Sequence, residues 1–458
     1  MPDKKSLKIA FIGSGSGFCP MTVNDILLDD LLCTLQIELR LMDILEEAVS
    51  YSVKYANEAA QMVGRRLTVI GTTDLEKAVD GADYVIVAIE VERYYYWSMD
   101  FHIPRRYGSN QVYGENGGPG GMFHFLRNVD PMLKIARTME RLCPDAWLIN
   151  YTNPEAKLVE AISRLTKIKT VGLCHGIGEG QSFISQILEM PEEELDVSVC
   201  GLNHFGWYQK IRSKKTGEDL YPLLKERERE ANWLAHWDGY ALCRMLLRTY
   251  GLLPYPVTNH VAEYIRWSDG FIASPNMQFF HDPVSEDPWT TKKLPKLVYF
   301  AEENHAKNFF PADYCSDEDL MNERFCLKPK LEPSGECGVP IISAMTFGHK
   351  IDLLTVNMIN NNKIPGLPGD MAVELPASVD KKGIHAKQME PLPDAVTEMI
   401  RIQGVIHKLI TEAYLEKSRN KLLQAILLDP TCSSYNNSVA MINEMCERQK
   451  EILPPMYW

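Results

Sequence analysis

The chain has no Cys-x-x-Cys pair, no regular cysteine spacing, no internal repeat and no low-complexity tract. Its eleven cysteines are an odd count. That argues against a disulfide framework and for the reduced thiols of a cytosolic protein. Most of them are expected to be small buried apolar residues. Long hydrophobic runs are missing too. Stretches such as Tyr84 to Ile89 have the length of a strand, far below a membrane span. Positive charge is in deficit: 48 Lys and Arg stand against 61 Asp and Glu, for a net charge of −13. An acidic surface argues against nucleic acid and anionic membranes as partners. It leaves room for an anionic substrate, because a local pocket can be basic. Met1-Pro-Asp-Lys-Lys runs directly into a strand without an apolar signal region, so a cytoplasmic location is expected.

What is present is enough apolar material for a large core. The 458 residues are 45% hydrophobic, which suggests two or three folding units. Leu7 to Ile12 is a short apolar run that ends in Gly13-Ser14-Gly15-Ser16-Gly17. An amphipathic segment, Thr22 to Leu32, follows, and a second strand, Leu35 to Leu41, ends at Asp43. That is a β-α-β unit. The alternation continues with helix at Glu46 to Met62, strand at Leu67 to Ile70, helix at Leu75 to Val79 and strand at Tyr84 to Ile89. Helix at Arg127 to Cys143, strand at Ala146 to Tyr151, helix at Glu155 to Leu165 and strand at Lys169 to Cys174 complete it. Such a series predicts a doubly wound, Rossmann-like parallel sheet with helices on both faces. After about residue 195 the character changes. Leu195 to Arg212 alternates like an antiparallel pair, and Pro222 to Arg248 and Ala395 to Ala425 look helical. Leu353 to Glu374 between them is rich in Asn, Gly and Pro. The expected division is a nucleotide-binding domain over 1–195 and a mixed α+β substrate domain over 196–458.

The glycine turn follows a strand and opens a helix, where a backbone can approach a pyrophosphate. Its spacing departs from the standard fingerprint, since the third glycine position is Phe18. Asp43, at the tip of the second strand, suits the ribose hydroxyls of NAD and would repel the 2′-phosphate of NADP. Gly13, Ser14, Gly15, Ser16 and Asp43 are therefore the candidate NAD-binding residues. The plainer alternative is a structural glycine turn.

Cys174 and His204 lie near the ends of two predicted strands. A thiolate and an imidazole so placed leave open positions on a divalent metal for substrate oxygens. Spacing alone favours the plainer reading of a buried cysteine and a hydrogen-bonded histidine. Gly117-Gly118-Pro119-Gly120-Gly121 reads as a loop before a helix, either an anion-binding nest or a tight lid. Beside it, Glu115 is a candidate acid or a solvated loop residue. Asn153 is a helix cap or a ligand to a sugar hydroxyl. Tyr264, in His260-Val-Ala-Glu263-Tyr264, is by default a packing tyrosine. The cluster Tyr94-Tyr95-Tyr96-Trp97 suits sugar stacking or plain packing. The charge runs Lys225 to Glu230 and Asp380 to Lys382 read as solvated faces.

Taken in order, these pieces resemble a family. Lys8-Ile-Ala-Phe-Ile-Gly-Ser-Gly-Ser16, Leu41-Met-Asp43-Ile, Gly117 to Gly121, Asn150-Tyr-Thr-Asn153-Pro154, Gly172-Leu-Cys174-His175 and Gly201-Leu-Asn203-His204 match the NAD- and divalent-metal-dependent glycosidases of glycoside hydrolase family 4. Asn357, Leu367-Pro368, Val373-Glu374 and Val379 to Ile384 fit more loosely. The resemblance covers nearly the whole chain. It implies retaining hydrolysis outside the two-carboxylate rule: bound NAD oxidises C3 of the sugar, a metal polarises the ketone, and a base takes the C2 proton. The aglycone is then eliminated, water adds, and hydride returns. By the same resemblance Cys174 and His204 are the metal ligands, with Mn2+ expected. Tyr264, Glu115 and His175 form the catalytic set, with Tyr264 the C2 base. Asn153, Asn116 and Arg127 touch the substrate. Glu115 stands where such relatives often carry aspartate. His175-Gly176-Ile177 replaces the pattern of phospho-sugar members, so the implied substrate is a non-phosphorylated α-galactoside, α-glucoside or α-uronide. Arg93, Arg105 and Arg127 are the candidate carboxylate binders for a uronide. A homodimer or homotetramer is implied. The alternatives are an NAD-dependent 2-hydroxyacid or sugar dehydrogenase, and a non-catalytic NAD-sensing protein.

Overall fold

The computed structural model describes residues 5–91, 93–230, 239–271 and 329–458, apart from the side chains at 93–95 and 98. Arg93, Tyr94 and Tyr95 therefore lie outside the described side chains. In the first half the strands are β1 (Ser6–Ile12), β2 (Gln36–Met42), β3 (Thr68–Thr72), β4 (Tyr84–Val87), β5 (Trp147–Asn150) and β6 (Lys169–Gly172). The helices are α1 (Phe18–Leu28), α2 (Glu46–Met62), α3 (Leu75–Val79), α4 (Arg93–Arg106), α5 (Gly118–Leu142), α6 (Glu155–Leu165) and α7 (Gly176–Leu188). The six strands pair in parallel in the order β3-β2-β1-β4-β5-β6. This is the doubly wound arrangement, and the order reverses between β1 and β4, where such sheets open a crevice for a ligand.

The sheet then continues with reversed strands. β7 (Leu195–Leu202) and β8 (Phe205–Ser213) form a hairpin, and β9 (Pro254–Tyr255) borders β8. β10 (Ile351–Ile359) and β11 (Ala372–Asp380) lie between β6 and β7, and β12 (Gly383–Ala386) pairs with β11. One sheet therefore runs through both halves of the chain. Its joints are Asn357 opposite Gly172 and Glu374 opposite Gly201. The remaining helices are α8 (Tyr221–Glu230), α9 (Ala241–Tyr250), α10 (Thr258–Val261), α11 (Gly338–Phe347), α12 (Asp394–Glu416), α13 (Arg419–Leu428) and α14 (Tyr435–Arg448).

The period-two pattern of β1 explains why both faces are covered. Leu7, Ile9 and Phe11 enter one core with Val23 of α1, Tyr55 of α2 and Ile341 of α11. Ala10 and Ile12 enter the opposite core with Phe123 of α5, Ile406 of α12, Leu422 of α13 and Met441 of α14. Each fully buried large aliphatic side chain contributes roughly 1.5–3 kcal/mol. The late helices are thus part of the packing of the nucleotide-type sheet.

Several expectations change. The predicted helix Arg127 to Cys143 begins at Gly118, so Gly118 to Gly121 form its first turn rather than a loop. The predicted helix Ala395 to Ala425 breaks at Lys417, which adopts a left-handed conformation between α12 and α13. Pro222 to Arg248 contains two helices, α8 and α9, with 231–238 outside the described residues. The charge run Lys225 to Glu230 is not wholly solvated: Glu228 is buried and bonded to Arg244 and Arg248 at 2.6 and 2.8 Å. Tyr96 and Trp97 are buried, and the Trp97 indole donates to the Tyr113 carbonyl at 2.8 Å, so these two serve packing. Among the described residues nine cysteines are present and all are free thiols. Among them, too, no helix is long and apolar enough to cross a membrane.

Candidate functional site

At the switch point, Gly13 leaves β1 with φ +91°, and a Cβ there would sit 2.1 Å from the Ala88 carbonyl oxygen. Only glycine fits so close beneath the end of β4. Gly13 and Ser14 both donate backbone N–H groups to the Met42 carbonyl, at 2.8 and 2.9 Å. The Gly15 N–H donates to Asp43 Oδ2 at 2.8 Å, and the Leu45 N–H to Asp43 Oδ1 at 3.1 Å. Asp43 therefore ties the glycine turn to the tip of β2. Gly17 caps α1 without a side chain, nothing lies within 4 Å of a Cβ built on it, and no acid occupies the first turn of α1. The buried Ser14 hydroxyl has no hydrogen-bond partner. Open space, a helix N-terminus and an unspent hydroxyl together suit a pyrophosphate.

In the second half of the chain, His204 occupies the two-residue turn between β7 and β8 with φ +63°. Positive φ is what a two-residue hairpin turn requires of its central residues, and it holds the imidazole at the tip of the hairpin. Gly206 lets the hairpin close on Tyr255, whose ring would lie 2.2 Å from a Cβ. The ring of His204 meets that of His260 edge to face at 4.2 Å. Glu115, His204 and His260 bring one ligand atom each within 4.8 Å of one another, a set that would hold a metal ion. Nδ1 of His204 lies 2.9 Å from the Asn116 amide nitrogen, 3.8 Å from Glu263 Oε2 and 4.0 Å from Glu115 Oε2.

The segment before α5 forms a nest, one of the two uses expected, and the nest is filled from within the protein. Glu263 fills the nest at the start of α5, accepting the N–H groups of Glu115 at 2.6 Å and Asn116 at 2.8 Å. Gly117 makes room for it, since a Cβ there would lie 2.6 Å from Glu263. The nest's occupant is thus a carboxyl side chain of the protein itself. Behind it the buried Lys157 ammonium donates to the Asn116 carbonyl. Burial pushes the Glu263 carboxyl up to about 8, against the pull of those backbone N–H groups and of Lys157. Burial likewise pushes Lys157 down to about 8, and Glu263 opposes that fall.

Cys174 follows β6, partly exposed, and accepts the Gly176 N–H at 3.5 Å. It stands outside the three-residue cluster. Asn203, the residue before His204, places its buried amide beside the thiol and beside the Glu374 carboxyl, where it opposes the rise of both. Burial first, then the charges of Glu374 and Glu155, pushes the thiol far above its ordinary range. Those two carboxyls are themselves buried where Asn357 bridges them, at 3.2 Å to Glu155 and 3.4 Å to Glu374. Burial raises Glu374 to about 7.

The other expected residues fall as follows. The Tyr264 hydroxyl donates to the Asn203 carbonyl at 3.2 Å and the ring stacks on Phe205. Burial, then Glu263, holds that phenol far above its ordinary range. His175 is exposed at the start of α7, its Nδ1 3.2 Å from Glu336. Asn153 precedes a cis proline and is partly exposed. Its carbonyl accepts from Asn128 at 3.1 Å. Arg127 is buried, both of its terminal nitrogens bond Asp100, and one also bonds Gln449 at 3.0 Å, which gives the guanidinium a partner within the protein. Arg105 donates one terminal nitrogen to the Gln111 carbonyl at 2.8 Å. Sequence reading missed His260, Glu263 and Lys157 as site residues. The spacing His260-x-x-Glu263 places both on one side of a helical turn, a signal that was available.

Residues 8–190 match the Family 4 glycosyl hydrolases, and residues 199–432 match the C-terminal domain of the same family. An alpha-glucosidase of Erwinia rhapontici is 30% identical over 453 residues, covering 96% of each chain. An alpha-galactosidase of Bacillus subtilis (strain 168) is 30% identical over 458 residues, covering 98% of this chain and 99% of the relative. A 6-phospho-alpha-glucosidase from gut microorganisms, solved in complex with NAD and Mn2+, superposes with a TM-score of 0.77. It is 20% identical, over 99% of this chain and 100% of that one, a likeness of fold. With both halves matched in order, the chain belongs to family 4 of the glycosyl hydrolases and is a glycoside hydrolase.

Proposed function

We propose that this enzyme hydrolyses non-phosphorylated α-glycosides with bound NAD and a divalent cation, Mn2+ by expectation. The observation that carries the reading is the gathering of Glu115, His204 and His260 in one cluster, in a chain whose first strand ends in the open Gly13–Gly17 turn. When bound, NAD supplies a reversible hydride acceptor and the cation a Lewis acid. The turn residues Gly13, Ser14, Gly15 and Ser16 with the N-terminus of α1 suit the pyrophosphate, and Asp43 suits the ribose. Glu115, His204 and His260 suit the cation, with Cys174 reaching it from the end of β6. Asn116 and Asn153 orient sugar hydroxyls. Glu115 is assigned as the acid at the leaving group and Tyr264 as the base at C2. For that role Tyr264 must release the Asn203 carbonyl, and a positive charge must favour its ionisation.

The absence of phosphate is supported by the names of the two 30% relatives and by the pairing of His175. His175, next to Cys174, is paired with Glu336 at 3.2 Å, so its imidazole already has a carboxyl partner within the protein. Within the same proposal the protein is cytoplasmic and assembles as a homodimer or homotetramer.

The test is release of nitrophenol from the α-galactoside, α-glucoside, α-galacturonide and α-glucuronide, with and without NAD, Mn2+ and reductant. Hydrolysis that requires both cofactors, slowed by deuterium at C2 or C3, is expected. Steady accumulation of NADH without hydrolysis would replace this reading with a dehydrogenase. Gly13→Ala offers a second check. A Cβ forced 2.1 Å from the Ala88 oxygen at positive φ must push β4 and the turn apart. NAD affinity is expected to fall by on the order of a hundredfold, about 2.7 kcal/mol. Unchanged NAD affinity by calorimetry would remove the turn from the site.

A further inference from the structure

We propose that Glu263 is the positioning residue of the cation centre, one oxygen locking the Glu115–Gly117 segment while the other completes the oxygen wall facing His204. This rests on the reading of Glu115, His204 and His260 as a cation site. The two oxygens are used differently. Oε1 takes the N–H groups of Glu115 and Asn116. It thereby fixes the backbone of the residue that offers a carboxylate to the centre and of the residue whose amide meets His204 at 2.9 Å. Oε2 is buried without a hydrogen-bond partner, 3.8 Å from His204 Nδ1.

A buried carboxylate oxygen left unpartnered is costly unless something positive faces it. Lys157 partly meets that need from behind, through the Asn116 carbonyl. From the front, a divalent cation or the imidazole that ligates it is the natural complement. Outer carboxylates that orient histidine ligands raise metal affinity by ~10–100-fold. The packing is built around this side chain. Gly117 is free of a Cβ where Glu263 enters, and Gly121 closes on Asn116 with 2.5 Å between a Cβ and its backbone. Glu263 also fixes the segment on the side of its neighbour Tyr264, whose hydroxyl holds the carbonyl of Asn203 beside His204. Removing the free oxygen alone should therefore weaken the cation and leave the nucleotide turn untouched.

Glu263→Gln makes that separation, because its amide oxygen still accepts the two backbone N–H groups while a donor replaces Oε2. Mn2+ titration of the full chain, followed by the paramagnetic signal of free Mn2+, is expected to show affinity lowered ~10–100-fold. NAD affinity and the near-ultraviolet circular dichroism are expected to stay as in the wild type. Unchanged Mn2+ affinity would overturn the proposal. Parallel loss of Mn2+ and NAD binding would also overturn it, by assigning Glu263 to folding alone. No Mn2+ binding by the wild-type protein would remove the cation reading itself, a failure seen without any variant. If Glu263→Gln does not fold, Glu263→Asp keeps the carboxyl group but is too short to reach both sides, and the same loss is expected. Wild-type Mn2+ affinity in Glu263→Asp, or failure of both variants to fold, would overturn the assignment.

Discussion

Cys174→Ser is expected to lower glycoside turnover by on the order of a thousandfold, about 4 kcal/mol of barrier, while NAD binding stays near the wild-type value. The substitution is nearly isosteric, and serine still accepts the Gly176 N–H that the thiol accepts now. What changes is ligand softness: an alkoxide is not available near neutral pH, whereas a metal converts a thiol to a thiolate as it binds. The environment makes the thiol depend on that partner. Glu155 and Glu374 lie close, and burial already holds the proton on sulfur. The glycine turn stands at the ends of β1 and β2, and Cys174 follows β6, so the two sites should respond independently. Measuring turnover, bound metal by elemental analysis and NAD affinity on one preparation separates them. Full activity with full metal content would strike Cys174 from the centre. Loss of NAD binding along with activity would show instead that the end of β6 supports the nucleotide crevice.

The parts of this protein that were legible in the sequence are those whose signals are local. β1, the glycine turn, α1, β2 and Asp43 lie within about forty consecutive residues, and each announces itself by period, turn chemistry or strand-end position. Asp43 could be read as an acid at a strand tip. Its bond to the Gly15 N–H, which makes the turn and the acid one unit, could not. Among the helices that escaped, α4 and α7 did so for plain physical reasons. α4 carries Tyr94 to Trp97 in its first turns and Pro104 in its interior, so it shows no clean apolar stripe. α7 opens with Gly176 and Gly178, which read as loop.

Distance in sequence hid the rest. Glu263 reaches back 148 residues to Glu115, and no pattern near Gly117 says that its nest is already filled. The motif resemblance could name Cys174 and His204, but it gave no notice of His260, because ring-to-ring packing at a hairpin tip is a tertiary event. Glu228 is the simplest lesson. Among alternating charges it reads as solvated, yet Arg244 and Arg248, one turn apart on α9, converge on it and bury it.

Arg127 carries the second large expected effect. Asp100→Ala is expected to destabilise the fold by about 3–5 kcal/mol, because it leaves the guanidinium buried without its counter-charge. Asp100 is 0% exposed and Arg127 2%. The pair is held at two points and braced by Gln449, just beyond α14, with Tyr96 beneath the guanidinium at 5.4 Å. Burial outweighs the arginine and leaves the Asp100 carboxyl above its ordinary range, so the pair works as a tie between α4, α5 and the chain's end rather than as a free charge. A double replacement, Arg127→Met with Asp100→Leu, should recover much of the loss, since apolar groups of similar volume often substitute for a buried ion pair. Chemical denaturation of the three variants measures the coupling directly. The same proteins decide the role at the site. If Arg127 instead recognised a uronic acid carboxylate, Arg127→Met would abolish uronide hydrolysis selectively at little cost in stability. The expected pattern is the reverse: a large loss of stability in each single variant, recovery in the double, and no change in the ranking of sugars.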